Sequence, residues 1–263
     1  MTVTEFPGGV RVEGAEPFDL AQTLDCGQCF RFAPTGDGGW FGAAGGHAAG
    51  LRFEGESLVL EGATAAEFEG FWRDYLDLDR DYAAVRAAFA RDPRLAPCVA
   101  FAPGIRVLRQ PAFEALIAFI VSQNNNVPRI KGILARLCAL FGEPLPGGAR
   151  AFPAPERLAA CSKEELAPLR SGWRAGYILD AARQVAAGTV DLQAVAVMPL
   201  ADARRELTRI RGVGPKVAEC VLLYGMGRLE CFPMDVWMKR AMARLFPEET
   251  GKMPESAPAI FGP

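Results

Sequence analysis

The sequence predicts an α+β protein: an N-terminal antiparallel β-sheet with helices over residues 1–100, then a mainly α-helical region over 101–263. Glycine-punctuated apolar alternation fills residues 38–62, as antiparallel strands require. From residue 111 the apolar residues instead recur at steps of three and four, the period of an amphipathic helix. Charge divides the chain at the same place. Residues 1–100 carry 8 Arg, no Lys and 16 Asp plus Glu, a net of −8, whereas 101–263 carry 21 Lys plus Arg against 15 Asp plus Glu, a net of +6. The overall net of −2 therefore hides a basic half that suits a polyanionic partner.

In chain order, Leu51 and Phe53, then Leu58 and Leu60, mark strands, and TAAEFEGFWRDYLDL and DRDYAAVRAAFARD read as helices. PAFEALIAFIVSQ is a helix with Pro111 in its first turn. Val127, Ile130, Leu134, Leu137, Cys138 and Phe141 line one face of the next. A Pro- and Gly-rich link, EPLPGGARAFPAP, precedes three or more further helices. The seven cysteines are odd in number and scattered through apolar segments, which fits reduced thiols. No run of 18 apolar residues occurs and the first residues carry no signal pattern, so a cytoplasmic protein is expected.

The stretch RGVGPKVAEC (211–220) sets a Gly-Val-Gly turn before a helix opened by Pro215. Such a turn serves either as a tight helix–helix connection or, through exposed amides at a helix start, as a phosphate site. Lys216 lies one position off the apolar stripe of Val213, Val217, Cys220, Val221 and Tyr224. It is either a snorkelling surface lysine or an amine facing a cavity, where it could act as a nucleophile. Asp235 precedes another apolar helical pattern and reads as an N-cap whose second oxygen remains free. A carboxylate near an amine could stabilise positive charge developing on a sugar carbon.

Gly212-Val213-Gly214-Pro215-Lys216-Val217-Ala218-Glu219-Cys220, followed by Pro233-Met234-Asp235-Val236, resembles the helix-hairpin-helix, Gly-Pro-Asp (HhH-GPD) superfamily of DNA glycosylases. With GIRVLRQPAFEALIAFIVSQNNNVPRI upstream, the chain is most similar to the 8-oxoguanine DNA glycosylases. The resemblance implies a bifunctional glycosylase and AP lyase that excises 8-oxoguanine opposite cytosine from duplex DNA. By it, Lys216 is the nucleophile, and Asp235 stabilises the transition state. Gly27, Cys220 and Pro233 meet the flipped base: Gly27 through its carbonyl to the N7–H, Cys220 as part of an ionised pair with Lys216. Asn124 fills the gap the base leaves, Arg129 and Arg174 read the orphaned cytosine, and Trp173 is the aromatic wedge. Gly212 and Gly214 form the DNA-binding hairpin.

The resemblance further implies a monomer that needs no cofactor, with a monovalent or divalent cation held by hairpin carbonyls. Cys26-Gly27-Gln28-Cys29 has no second cysteine pair and the chain has one histidine, His47, so no metal is expected there. No cysteine string follows Cys231, unlike the iron–sulfur branches of the superfamily. The family pattern also continues past AIFGP into a helix that supplies a Gln and an aromatic to the base. Two other readings stay open: a glycosylase for another oxidised or alkylated purine, and a non-catalytic DNA-binding module.

Overall fold

The computed structural model describes residues 1–249, 251–253 and 255–261. Six strands, β1 (Thr2–Phe6), β2 (Gly9–Glu13), β3 (Phe32–Pro34), β4 (Trp40–Ala44), β5 (His47–Glu54) and β6 (Ser57–Glu61), form one sheet in the order β1-β2-β6-β5-β4-β3. Every neighbouring pair is antiparallel. The register sets Val10 opposite Leu60, Val12 opposite Leu58 and Leu51 opposite Leu60, so the alternation delivers all five side chains to one core. Helix α1 (Leu20–Leu24) adds Leu24 to that core. Helices α2 (Ala65–Glu67) and α3 (Arg73–Tyr75) flank a π-helical turn, Phe68–Trp72, which buries Phe68 and Trp72 against the sheet. His47 stacks on Phe71 at 4.6 Å and faces Glu67, a packing role on the sheet.

Two short helices, α4 (Tyr82–Phe89) and α5 (Ala96–Phe101), lead to the helical region. Its centre is α6 (Ala112–Ser122), buried continuously from Glu114 to Val121; Pro111 is the residue just before its first turn. Helix α7 (Val127–Phe141) buries Ile130, Ile133, Leu134, Leu137 and Cys138, close to the stripe read from the sequence. The Pro-Gly link forms a 3₁₀ turn, Pro146–Gly148. Then follow α8 (Pro155–Ala159), α9 (Arg174–Ala186), α10 (Leu192–Val197), α11 (Leu200–Thr208), α12 (Pro215–Met226), α13 (Val236–Leu245) and α14 (Ala257–Phe261). Helix α12 crosses α6 closely because position 225 has no side chain. A Cβ on Gly225 would stand 2.9 Å from that of Ala115.

Buried polar links join the sheet to the helices. Gln28 spends its amide on the carbonyls of Thr23 and Arg106 and on the Leu108 N–H, and its own carbonyl accepts from Gln110 Nε2 at 2.6 Å. Gln110 N–H in turn reaches Tyr224 O on α12 at 2.7 Å. Arg31 meets the buried Glu114 at 3.0 Å; burial raises the Glu114 pKa while Arg31 opposes the rise. A third apolar cluster packs Met242 and Phe246 of the α13 end on Leu95, closing the C-terminal segment onto the first half. Phe261 joins this cluster, stacked on Phe232 at 5.3 Å. Among the described residues no helix is long and apolar enough to cross a membrane.

Candidate active site and DNA-facing surface

The α11–α12 hairpin is built around two glycines with different tasks. Gly212 has φ +87°, and a Cβ there would fall 2.1 Å from the Tyr177 ring, so both backbone sign and packing require glycine. Gly214 caps α12 and faces open space, where a side chain would obstruct only an approaching partner. Val213 N–H closes the turn on Ile210 O, and Arg211 N–H is held by Asp180. Among the described residues, no protein acceptor takes the Gly214 N–H. With the first amides of α12 it forms a donor cluster suited to a phosphate.

Lys216 follows Pro215 and is half-buried. Its amine lies 5.3 Å from the centre of the Phe119 ring, and Phe119 is stacked on Tyr224 at 5.4 Å. After α12, Gly227 takes the left-handed C-terminal position, and Arg228 grips the carbonyls of Ala196 and Met198. The loop then delivers Asp235, which caps α13 by accepting the Met238 N–H at 2.7 Å. The cap was expected from the sequence; it leaves the second carboxylate oxygen available to the cavity.

Gly27, Lys216, Cys220, Pro233 and Asp235, all singled out from the sequence, line one cavity of about 350 Å³. Gly27 sits in the left-handed region at φ +90°. The Gln28 network anchors the residue next to it. Cys26 and Cys29 donate their thiols to the carbonyls of Thr23 and Leu24, and burial pushes the Cys29 thiol up. Among the described residues no group of three His, Cys, Asp or Glu side chains is disposed around a common metal position.

Burial works against the expected ionised Cys220–Lys216 pair. Burial pushes the Cys220 thiol up to about 11, and Lys216 offsets only part of that rise. Burial thus favours the neutral thiol, an apolar and polarisable wall for a base.

The polar run after α6 separates into structural residues and one free residue. Ser122, Gln123 and Asn125 donate to the carbonyls of Phe119, Ile120 and Val121, and Asn126 caps α7 by accepting the Arg129 N–H. Asn124 alone has φ +47°, is exposed, and makes no side-chain hydrogen bond among the described residues. Arg129 is exposed beside it. Arg174 is different: it is 3% exposed, bonds the carbonyls of Gln123, Asn124 and Ser171, and stacks on Trp173 at 4.3 Å. Burial, then the charge of Arg129, lowers its pKa. In this structure Arg174 thus holds the 123–124 backbone, while the Arg129 side chain makes no hydrogen bond or ion pair among the described residues. Trp173 is half-exposed and packs edge-on against Tyr177, the same ring that supports Gly212.

Sequence reasoning missed several residues of the site. Phe119 was not singled out, and Tyr224 was read only as part of the apolar stripe of its helix. Trp237, 73% exposed at the cavity and covered by Arg240 at 5.0 Å, was not singled out. Glu219 is buried with both oxygens bonded, to Arg204 Nε at 2.6 Å and to the Phe232 N–H at 2.9 Å. Its only sequence signal was an acid inside an apolar helix.

Comparison with known proteins agrees with this geometry. The family model described as 8-oxoguanine DNA glycosylase, N-terminal domain, matches residues 10–116, and that of the HhH-GPD superfamily base excision DNA repair protein matches residues 117–261. The N-glycosylase/DNA lyase OGG1 of Arabidopsis thaliana is 30% identical over 266 residues, covering 92% of this chain and 73% of the relative. The solved structure of MBOgg1 in complex with a low affinity DNA ligand superposes with a TM-score of 0.96 at 38% identity, covering 99% of this chain and 92% of that one. The Clostridium acetobutylicum 8-oxoguanine glycosylase/lyase, solved with double-stranded DNA containing cytosine opposite 8-oxoG, gives 0.94 at 32% identity, covering 100% and 94%. A 3-methyladenine DNA glycosylase from Archaeoglobus fulgidus shares the fold at 22% identity and a TM-score of 0.74. With both halves matched and its hairpin and aspartate facing one cavity, the chain belongs to the HhH-GPD superfamily of base excision DNA repair proteins, among its 8-oxoguanine DNA glycosylases.

Proposed function

We propose that this protein removes 8-oxoguanine opposite cytosine from duplex DNA and then nicks the resulting abasic site. The observation that carries the reading is the convergence of Lys216 and Asp235 on a cavity of about 350 Å³, a volume that suits a single base. Glycosidic chemistry needs the target nucleotide out of the stack, because C1′ is inaccessible within the duplex. The hairpin amides and the basic half of the chain supply phosphate contacts, Asn124 enters the vacated position and Arg129 faces the orphaned base.

In the chemical step the Lys216 amine bonds to C1′ as the bond from C1′ to the base breaks. The base departs with that electron pair and takes up a proton, and Asp235 stabilises the positive charge on the sugar. As the sugar ring opens, its C1′–O bond breaks, the ring oxygen takes up one proton from the amine, and a protonated Schiff base remains between Nζ and C1′. Removal of a C2′ proton then expels the 3′ phosphate, which cuts the strand, and water releases Lys216. Gly27, Cys220 and Pro233 form the wall that meets the base, with the Trp237 indole as stacking surface at the mouth. The carbonyls of Arg211 and Val213, which accept no hydrogen bond among the described residues, fit a cation at the hairpin. The protein acts as a cytoplasmic, DNA-associated monomer.

Borohydride trapping on a duplex with one 8-oxoguanine opposite cytosine tests the reading. A covalent adduct is expected with wild type and none with Lys216→Gln. A folded, DNA-binding wild type that forms no adduct would instead indicate a binding module. Release of an alkylated purine in preference to 8-oxoguanine would shift the substrate class.

A further inference from the structure

We propose that Glu219 is a positioning residue for Asp235, set by the hairpin itself; the proposal rests on the reading of Asp235 given above. Glu219 lies on α12, three residues after Lys216 and next to Cys220, and is 7% exposed. A carboxylate in such surroundings is tolerated only when its charge is paired and its oxygens are bonded. Both conditions are met by partners from two different elements. Arg204, on α11, donates to one oxygen at 2.6 Å. The Phe232 N–H, three residues before Asp235, donates to the other at 2.9 Å.

One side chain therefore ties both helices of the hairpin to the loop that carries the catalytic carboxylate. The attachment point matters because Phe232 and Met234 are otherwise held by apolar packing in the third cluster, which fixes the backbone less sharply than a hydrogen bond does. Pro233 has no N–H, and among the described residues no other hydrogen bond holds the backbone between Phe232 and the Asp235 cap. The backbone of α12 is occupied by its own helical bonds, so only a side chain can reach across. A carboxylate accepts from both donors at once, whereas the amide of glutamine can accept from one and must turn its NH₂ toward the other. Displacing a catalytic group by about 1 Å costs on the order of 10²-fold in rate. The tether thus sets where Asp235 stands relative to Lys216 without touching the substrate.

The test compares Glu219→Ala, Glu219→Gln and Arg204→Met in the full chain, using single-turnover release of 8-oxoguanine opposite cytosine. In Glu219→Ala the excision rate at saturating enzyme is expected to fall more than about tenfold, with duplex Kd moving less than about threefold. Glu219→Gln keeps an acceptor for the Phe232 amide and recovers most of the rate. Trapping on a preformed abasic site, which requires Lys216 but no departing base, stays near wild type in all three. Excision, affinity, trapping and melting temperature falling together would reduce Glu219 to a fold-stabilising residue and overturn the proposal, as would an unchanged Glu219→Ala rate. Hydrogen exchange over residues 228–235 separates this from the functional reading. Should wild type release no base, the proposed activity fails, yet faster exchange confined to that loop in Glu219→Ala still supports the tether and unchanged exchange sinks it.

Discussion

Asp235 holds the Met238 N–H at 2.7 Å with one oxygen and faces the cavity of Lys216 with its carboxylate, so a helix cap and a catalytic candidate are the same side chain. Asparagine caps about as well as aspartate but carries no charge. Asp235→Asn is therefore expected to melt within about 0.5 kcal/mol of wild type and to lose roughly 10²–10³-fold in excision, with duplex affinity retained. Thermal melts beside single-turnover rates decide it. A matched loss of stability, binding and rate would leave only the cap.

Arg129 and Arg174 stand close enough for the charge of one to lower the pKa of the other, but their tasks differ. Arg129→Ala removes an exposed side chain and should leave stability within about 0.5 kcal/mol while flattening the preference for cytosine opposite the lesion. Arg174→Ala strips donors from the Gln123 and Asn124 carbonyls, which should cost about 1–3 kcal/mol of stability. Excision assays against all four opposing bases check the first statement. An equal loss on every pairing would remove Arg129 from cytosine reading.

Trp237 is the most exposed aromatic side chain of the cavity wall. Stacking a base on an aromatic side chain is worth about 1–3 kcal/mol. Trp237→Ala should slow 8-oxoguanine release roughly tenfold, Trp237→Phe much less, and neither should alter nicking of an abasic site that has no base to stack. Parallel loss of both activities would mean that the indole contacts the DNA strand rather than the base.

For Cys220, burial raises the thiol from its ordinary 9.0 to about 11. The fold favours the neutral form, so this contribution is fully present below pH 9 and disappears as the pH climbs through 11. Cys220→Ala is expected to lose stability less steeply than wild type between pH 9 and 11, by on the order of 2 kcal/mol. Denaturant titrations at pH 8 and pH 11 measure this. Identical slopes would show that the thiol titrates as freely in the fold as out of it.

The sequence by itself determined the features whose physics is local. The Gly-Val-Gly turn before Pro215, the Asp235 cap and the buried stripe of α7 follow from turn chemistry, capping and helical period, each readable within a few residues. The strand alternation set Leu51 with Phe53, and Leu58 with Leu60, on common faces before any pairing was known. Family resemblance then pointed to Gly27, Cys220 and Pro233, which share the cavity. Tertiary structure alone decided the rest, because those properties depend on partners distant in the chain. Glu219 becomes a tether only where Arg204 and Phe232 meet it, 15 residues before and 13 after. The pKa of the Cys220 thiol is raised because packing excludes water. Arg174 is held because the 123–124 carbonyls, some 50 residues upstream, turn toward it. A residue type announces which bonds it can make; the competition among distant partners for those bonds is resolved only when the chain is packed.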